Sequence, residues 1–152
     1  MSDLLLFSLD NRQYALPLPS VERVVRAAAL TPLPKAPAIV LGILDLAGRV
    51  VPAVDPRRRF RLPERELRPS DQFIIAQSRS LTLALVVDGT LGVIPEPAPE
   101  ETQADAIPPG TEYVAGVTRT ADGLVLIHDL DSFLSLAEEA ALADALAGEE
   151  QS

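Results

Sequence analysis

The sequence predicts an all-β protein built as two small, closed antiparallel barrels packed together. Three observations lead there. About nine short apolar runs recur along the chain, separated by turn-forming glycine, proline, asparagine, aspartate and serine, as in strands joined by tight reversals. The runs also fall into two similar sets. Phe7 with Tyr14-Ala15-Leu16-Pro17-Leu18 is echoed by Ile75 with Leu83-Ala84-Leu85-Val86-Val87, at an offset of roughly 70 residues, and Gly42…Gly48…Asp55 is echoed by Gly116…Gly123…Asp131. Finally, 152 residues that are 47% hydrophobic provide for one ordinary core, or two small ones that share it.

Taken in order, Leu4–Leu9 and Gln13–Leu18 flank the turn-forming Asp10-Asn11-Arg12 and predict a hairpin. Pro17 and Pro19 close its second strand, because each removes a ladder donor. Ser20 is placed to cap one or two helical turns, with Val21, Val24 and Val25 at i, i+3, i+4 forming an apolar stripe. Valine's β propensity makes this a weak helix that turns to strand by Val25. Three prolines at 32, 34 and 37 then force an extended run. Ile43–Leu46 and Val50–Val54 form a second hairpin around Ala47-Gly48-Arg49, where Gly48 takes the positive φ that a tight reversal needs.

Arg57–Pro63 is a basic turn or short helix anchored by Phe60 and Leu62, and a charged linker follows to Asp71. The second half repeats this grammar. Gln72–Gln77 and Leu81–Val87 form a hairpin closed by Val87-Asp88-Gly89, and Leu91–Ile94 follows. Pro95–Gly110 holds five prolines and four acidic residues, as expected of a solvated loop. Tyr113–Thr118 and Leu124–Ile127 pair across Ala121-Asp122-Gly123. Asp129 or Asp131 caps a helix from Ser132, with Phe133, Leu134 and Leu136 on its inner side; Ala137–Ala147 is helical by propensity, and the last residues fray.

Charge and composition exclude several classes. With no cysteine there are no disulfides, thiolate nucleophiles or cysteine-bound metals. A net charge of −9 argues against nucleic acid. Residues 1–68 hold 11 basic groups against 7 acidic, a net of +4, whereas residues 69–152 hold 2 against 15, a net of −13. Such a dipolar chain either orients a charged partner or simply stays soluble. The N-terminal MSDLLLFSLD lacks the basic flank of a signal peptide, and no run approaches a membrane span, so a soluble, cytoplasmic protein is expected.

Nothing here specifies an enzyme. His128 is the only histidine, at the end of an apolar strand, where a structural role is expected. No phosphate-binding glycine motif and no nucleophile triad is present. Asp55, Asp129 and Asp131 suit a hard cation chemically, but capping explains them more simply, so neither a metal nor a cofactor is expected. The valine stripe, with Glu22, Arg23 and Arg26 between its members, either docks a partner or plugs a barrel end. The arginines at 57–61 either meet an acidic partner or form a solvated turn.

Several of these pieces, in this order, resemble the CheW family of chemotaxis coupling proteins. The likeness rests on Phe7-Ser8-Leu9, Tyr14–Leu18, Val21-Glu22-Arg23-Val24, Leu30–Pro34 with Pro37, and Gly42–Asp55. It continues through Leu85–Gly89, Tyr113–Val117 and Leu126…Asp129-Leu130-Asp131…Phe133-Leu134, spanning about residues 4–137. The resemblance implies two five-stranded SH3-like barrels sharing a hydrophobic core, within a domain at 1–137 whose pseudo-repeats at roughly 4–70 and 71–137 exchange strands. A C-terminal helix and frayed tail at 138–152 follow. It also implies a non-catalytic adaptor in signal transduction, coupling the cytoplasmic tip of a chemoreceptor to the regulatory domain of a CheA-like histidine kinase in membrane-associated arrays, without inserting into the membrane itself. The matching contact regions are Val21, Arg23, Val24, Val25, Gly42, Asp45, Leu46, Ala47, Gly48 and Arg49.

Two positions depart from the family pattern. Family members usually have Asn-Leu-Arg-Gly where this chain has Asp45-Leu46-Ala47-Gly48, and commonly an acidic residue where it has Arg23. Both changes alter local charge at the expected contact surface and point to a divergent paralogue with changed partners. The alternative functions are a self-assembling or a sensor module of a non-chemotaxis pathway.

Overall fold

The computed structural model describes residues 3–79, 81–95, 114–120 and 123–150. The acidic loop beyond Pro95, Tyr113, and Ala121-Asp122 of the last reversal lie outside these residues. Ten strands are described: β1 (Leu4–Leu9), β2 (Arg12–Pro17), β3 (Val21–Arg26), β4 (Val40–Leu46), β5 (Arg49–Val54), β6 (Gln72–Gln77), β7 (Thr82–Val87), β8 (Gly89–Ile94), β9 (Val114–Thr120) and β10 (Gly123–His128). Two helices join them, α1 (Pro56–Arg59) and α2 (Leu136–Glu150).

The strands form two five-stranded sheets, ordered β8-β1-β2-β10-β9 and β3-β6-β7-β5-β4. Each sheet is thus assembled from both halves of the chain. One half supplies a hairpin, the other a single strand and a glycine-turn hairpin. Pairing is antiparallel except at one joint per sheet, where β10 meets β2 and β7 meets β5 in parallel. The first and last strands of each sheet are not hydrogen-bonded to one another, so each sheet is barrel-like but open at a seam.

Alternation of side chains builds three cores from this arrangement. Leu5, Phe7 and Leu9 of β1 and Tyr14 and Leu16 of β2 face Ile74, Ala76, Leu83, Leu85 and Val87 of the β6–β7 hairpin, forming the shared core between the sheets. The intervening residues face inward within their own sheets. Leu4, Leu6 and Ala15 pack with Val125 and Ile127, whereas Phe73, Ile75, Ala84 and Val86 pack with Leu44, Val51 and Ala53. Strands buried on both faces explain why β1, β6 and β7 are continuous apolar runs rather than alternating ones.

A chain of rings crosses the shared core. Phe7 stacks on Tyr14 at 5.8 Å between centroids, Tyr14 on Phe60 at 4.7 Å, Phe60 meets His128 edge-on at 5.1 Å, and His128 lies 4.9 Å from Phe133. His128 is buried and neither ring nitrogen has a hydrogen-bond partner, the structural role expected for it. Burial holds its pKa far below the ordinary value, at about 3.

Four expectations change. Leu18–Ser20 is a 3₁₀ turn, and Val21–Arg26 is a tenth strand rather than a helix. A bulge between Val21 and Arg23 restores Val21 and Val24 to the shared-core face and turns Val25 to the barrel interior. Three valines at helical spacing were therefore a bulged strand. Leu136 is 86% exposed. The segment before it forms a 3₁₀ turn at Leu130–Ser132, capped by Asp129, and α2 starts afresh on a capping box in which Ser135 Oγ accepts from Glu138 N and Glu138 Oε1 accepts from Ser135 N. The inner face of α2 is Leu142 and Ala145. The counterpart of Asp55 is Asp129 rather than Asp131, since each accepts from the backbone N–H two residues on and caps the turn after its hairpin. Lastly, Arg57 is buried rather than solvated.

Candidate functional site

The expected contact residues come from two stretches far apart in sequence, β3 and the β4–β5 hairpin, which form opposite edges of one sheet. The hairpin turns at Ala47-Gly48, with φ of 53° and 86°. Such a two-residue turn matches strand twist and requires positive φ at both positions. Asp45 Oδ1 accepts from Gly48 N at 2.9 Å and fixes the reversal. This explains aspartate in place of the family's usual asparagine, since an oxygen acceptor suffices.

The two edges meet across the seam. The Arg49 guanidinium donates to both carboxylate oxygens of Glu22, through Nη1 at 3.2 Å and through Nη2. This fork arises because the bulge in β3 pushes Glu22 out of the ladder and the turn delivers Arg49 opposite it. The hydrogen bond from Arg49 holds the Glu22 carboxyl below its ordinary pKa. Glu22 carries no recognisable signal in the sequence, because its partner lies 27 residues away.

Not all of the expected residues offer surface. Arg23, Asp45, Ala47, Gly48 and Arg49 are exposed. Val21, Val24, Val25 and Leu46 are half-buried and spend their apolar faces on the cores. Gly42 is buried, and a Cβ there would stand 2.7 Å from the Thr31 carbonyl oxygen. Its absent side chain admits the Thr31 backbone, which pairs with Ile43 and covers the outer edge of β4. Val50, 43% exposed, adds an apolar side chain beside the turn.

A partly buried ionic network lies between α1, the 63–71 linker and the β7–β8 junction. Arg65 donates to both oxygens of Asp71, at 2.7 and 2.9 Å, and to Asp88 at 2.5 Å. Arg57 ion-pairs with Asp88 and reaches Asp55 at 3.9 Å. Its Nη2 lies against Asp88 without a hydrogen bond, so the attraction there is electrostatic. Burial opposes the Asp71 charge, but hydrogen bonds from Arg65 and the Arg68 backbone outweigh it and keep the carboxyl below its ordinary pKa. Asp10 N also donates to Asp88 Oδ2 at 2.8 Å, so the network ties the β1–β2 turn to the opposite sheet. Among the described residues no group of three His, Cys, Asp or Glu side chains is arranged to hold a metal, and no helix is long and apolar enough to cross a membrane.

Comparison with known proteins bears on this architecture directly. The CheW-like domain model matches residues 3–138. A chemotaxis protein CheW of Treponema pallidum is 28% identical over 151 residues, covering 93% of this chain and 86% of its own. Protein FrzA of Myxococcus xanthus is 27% identical over 131 residues, covering 82% and 79%. The crystal structure of the scaffolding protein TtCheW from Thermoanaerobacter tengcongensis superposes with a TM-score of 0.80 at 25% identity, covering 90% of this chain and 94% of that one. With two five-stranded sheets, a shared core and a family match running from β1 to the start of α2, the chain belongs to the CheW-like domain family.

Proposed function

We propose that the protein is a non-catalytic adaptor that couples a chemoreceptor to the regulatory domain of a CheA-like histidine kinase, within cytoplasmic arrays assembled at receptors. One observation supports this most: β3 and the β4–β5 hairpin, the two regions expected to meet partners, are joined across a single seam by Glu22 and Arg49. They make one continuous surface. The family match over residues 3–138 and the scaffolding description of the TtCheW structure supply the context.

Within that surface, Ala47 and Arg23 differ from the family pattern. The ion pair between Arg49 and Glu22 engages the nearest arginine, so Arg49 does not simply replace the residue missing at 47. The protein is therefore read as a divergent paralogue with its own receptor or kinase. Calorimetric titration with the kinase regulatory domain and receptor tip encoded in the same genome tests this. Ala47→Glu and Val50→Lys, both at exposed positions, the second opposite Asp45 in the hairpin where a cation is tolerated, should abolish binding with little change in the melting temperature. Charged residues at Val24 or Leu46 would disturb the cores as well, and so report less cleanly. Ordinary affinity for the main chemotaxis pair would sink the paralogue reading.

A further inference from the structure

We propose that the cleft between the β1–β2 turn and the 63–71 linker binds a small zwitterion, a free molecule that carries one carboxylate and one ammonium group as amino acids do. The inference goes beyond the adaptor reading and does not rest on it.

The cleft encloses about 390 Å³, at the small end of the roughly 300–1,000 Å³ found for small-molecule sites. Asp10 and Asn11 line it from the turn, Arg65 and Arg68 from the linker, together with the buried Arg57 and the half-buried Asp88. Its walls are tied to one another, since the Asp88 carboxylate accepts from Asp10 N at 2.8 Å and from Arg65 at 2.5 Å. Most of the lining charges are already matched. Arg65 is held by Asp71 as well as Asp88, Arg57 lies against Asp88, and Glu64 pairs with Arg58 at 3.5 Å.

The groups left over select the occupant. Asp10 and Arg68 join the network through their backbone N–H groups, which donate to Asp88 and Asp71 at 2.8 Å each. Their side chains and that of Asn11 are exposed, and make no hydrogen bond or ion pair among the described residues. Arg57 Nη2 has no hydrogen-bond partner either, although its side chain is only 3% exposed, which leaves a buried donor open to an acceptor. A ligand carboxylate would answer Arg68 and this donor, and a ligand ammonium would answer Asp10. Simple ions fit less well. Three carboxylates and three guanidiniums line the cleft, so a lone anion or cation meets like charge as well as opposite charge. An apolar ligand would strip water from these groups and return no hydrogen bonds.

The test titrates the full chain with glycine, γ-aminobutyrate and ε-aminocaproate, a series in which the two charges stand progressively further apart. Butyrate and butylamine, with one charge each, are the controls. At millimolar concentration at least one zwitterion should move the amide resonances of residues 10–11, 64–68 and 88 and raise the melting temperature by mass action. The single-charge controls should do neither. Asp10→Asn and Arg68→Gln remove one charge each at exposed positions and keep the backbone hydrogen bonds. Each should weaken binding severalfold while the circular dichroism spectrum is retained. Shifts confined to other residues, equal binding of butyrate or butylamine, no response to any of the three zwitterions, or binding indifferent to both substitutions would overturn the proposal.

Discussion

At the scale of single residues, environment rather than residue type decides what each side chain contributes. His128 is neutral in the folded state because its ring is buried between Phe60 and Phe133 with no hydrogen-bond partner on either nitrogen, and the Arg59 guanidinium lies 5.8 Å from the Phe133 ring centroid. Its folded pKa of about 3 lies below the unfolded value. The unfolded chain thus takes up a proton first as the pH drops, and stability present above about pH 6.5 is lost down to about pH 3. Between about pH 7 and about pH 5 this amounts to about 2 kcal/mol, and His128→Leu should remove that part of the slope in urea melts. Gly42 and Gly48 look alike in sequence but should respond differently to alanine. At Gly42 the added Cβ meets backbone at 2.7 Å, and a loss of about 1–3 kcal/mol is expected. At Gly48 nothing lies within 4 Å, so only the left-handed backbone counts, about 1 kcal/mol, as thermal denaturation would show. Arg57 shows where sequence reasoning stopped: three adjacent arginines give no hint that one is buried, because Asp88, its partner, is reached through the fold.

At the scale of elements, the hairpins were legible and β3 was not. Asp10-Asn11 and Gly48 mark their reversals with residues suited to positive φ, Ala47 being carried into the left-handed region beside Gly48, and apolar runs of strand length flank them. In β3 the extra residue at the bulge shifts the side-chain period, so Val21, Val24 and Val25 imitate a helical stripe. The parallel joints were hidden too, since no local pattern specifies which edges of two hairpins will meet. Helix α2 separates propensity from packing. Leu136 begins it in solvent, whereas Leu142 is fully buried against the shared core. Leu142→Ala should cost about 2–5 kcal/mol and Leu136→Ser almost nothing, a contrast that chemical denaturation resolves. Breaking the Glu22–Arg49 pair with Glu22→Gln should hardly move the melting temperature, because both groups are solvated. Its effect belongs in binding to the seam surface.

At the scale of the whole molecule, the two sheets are interdependent. One needs β1 and β2 from the first half and β8–β10 from the second; the other needs β6 and β7 from the second half and β3–β5 from the first. Fragments covering 1–70 and 71–152 should each be unfolded alone by circular dichroism, because each would expose a hairpin that is apolar on both faces, and should recover sheet structure when mixed. A folded isolated half would contradict the observed strand exchange. The echo between halves was visible in sequence because equivalent positions meet equivalent surroundings: Val51 and Val125 line their barrels, and Asp55 and Asp129 cap the following turns. The exchange itself came only with the family resemblance, since hydrophobic patterning is the same whichever hairpin fills the slot. That topology also sets an order of events during synthesis. The sheet of β3–β7 is complete once Val87 has been made, but β2 waits for β10, whose first residue is Gly123. At roughly 5–20 residues per second the wait is on the order of seconds, during which Leu4, Leu6 and Ala15 lack their final covering. β1 and β2 therefore leave the ribosome well before the strand that seals them, and this interval is when a chaperone would find the nascent chain.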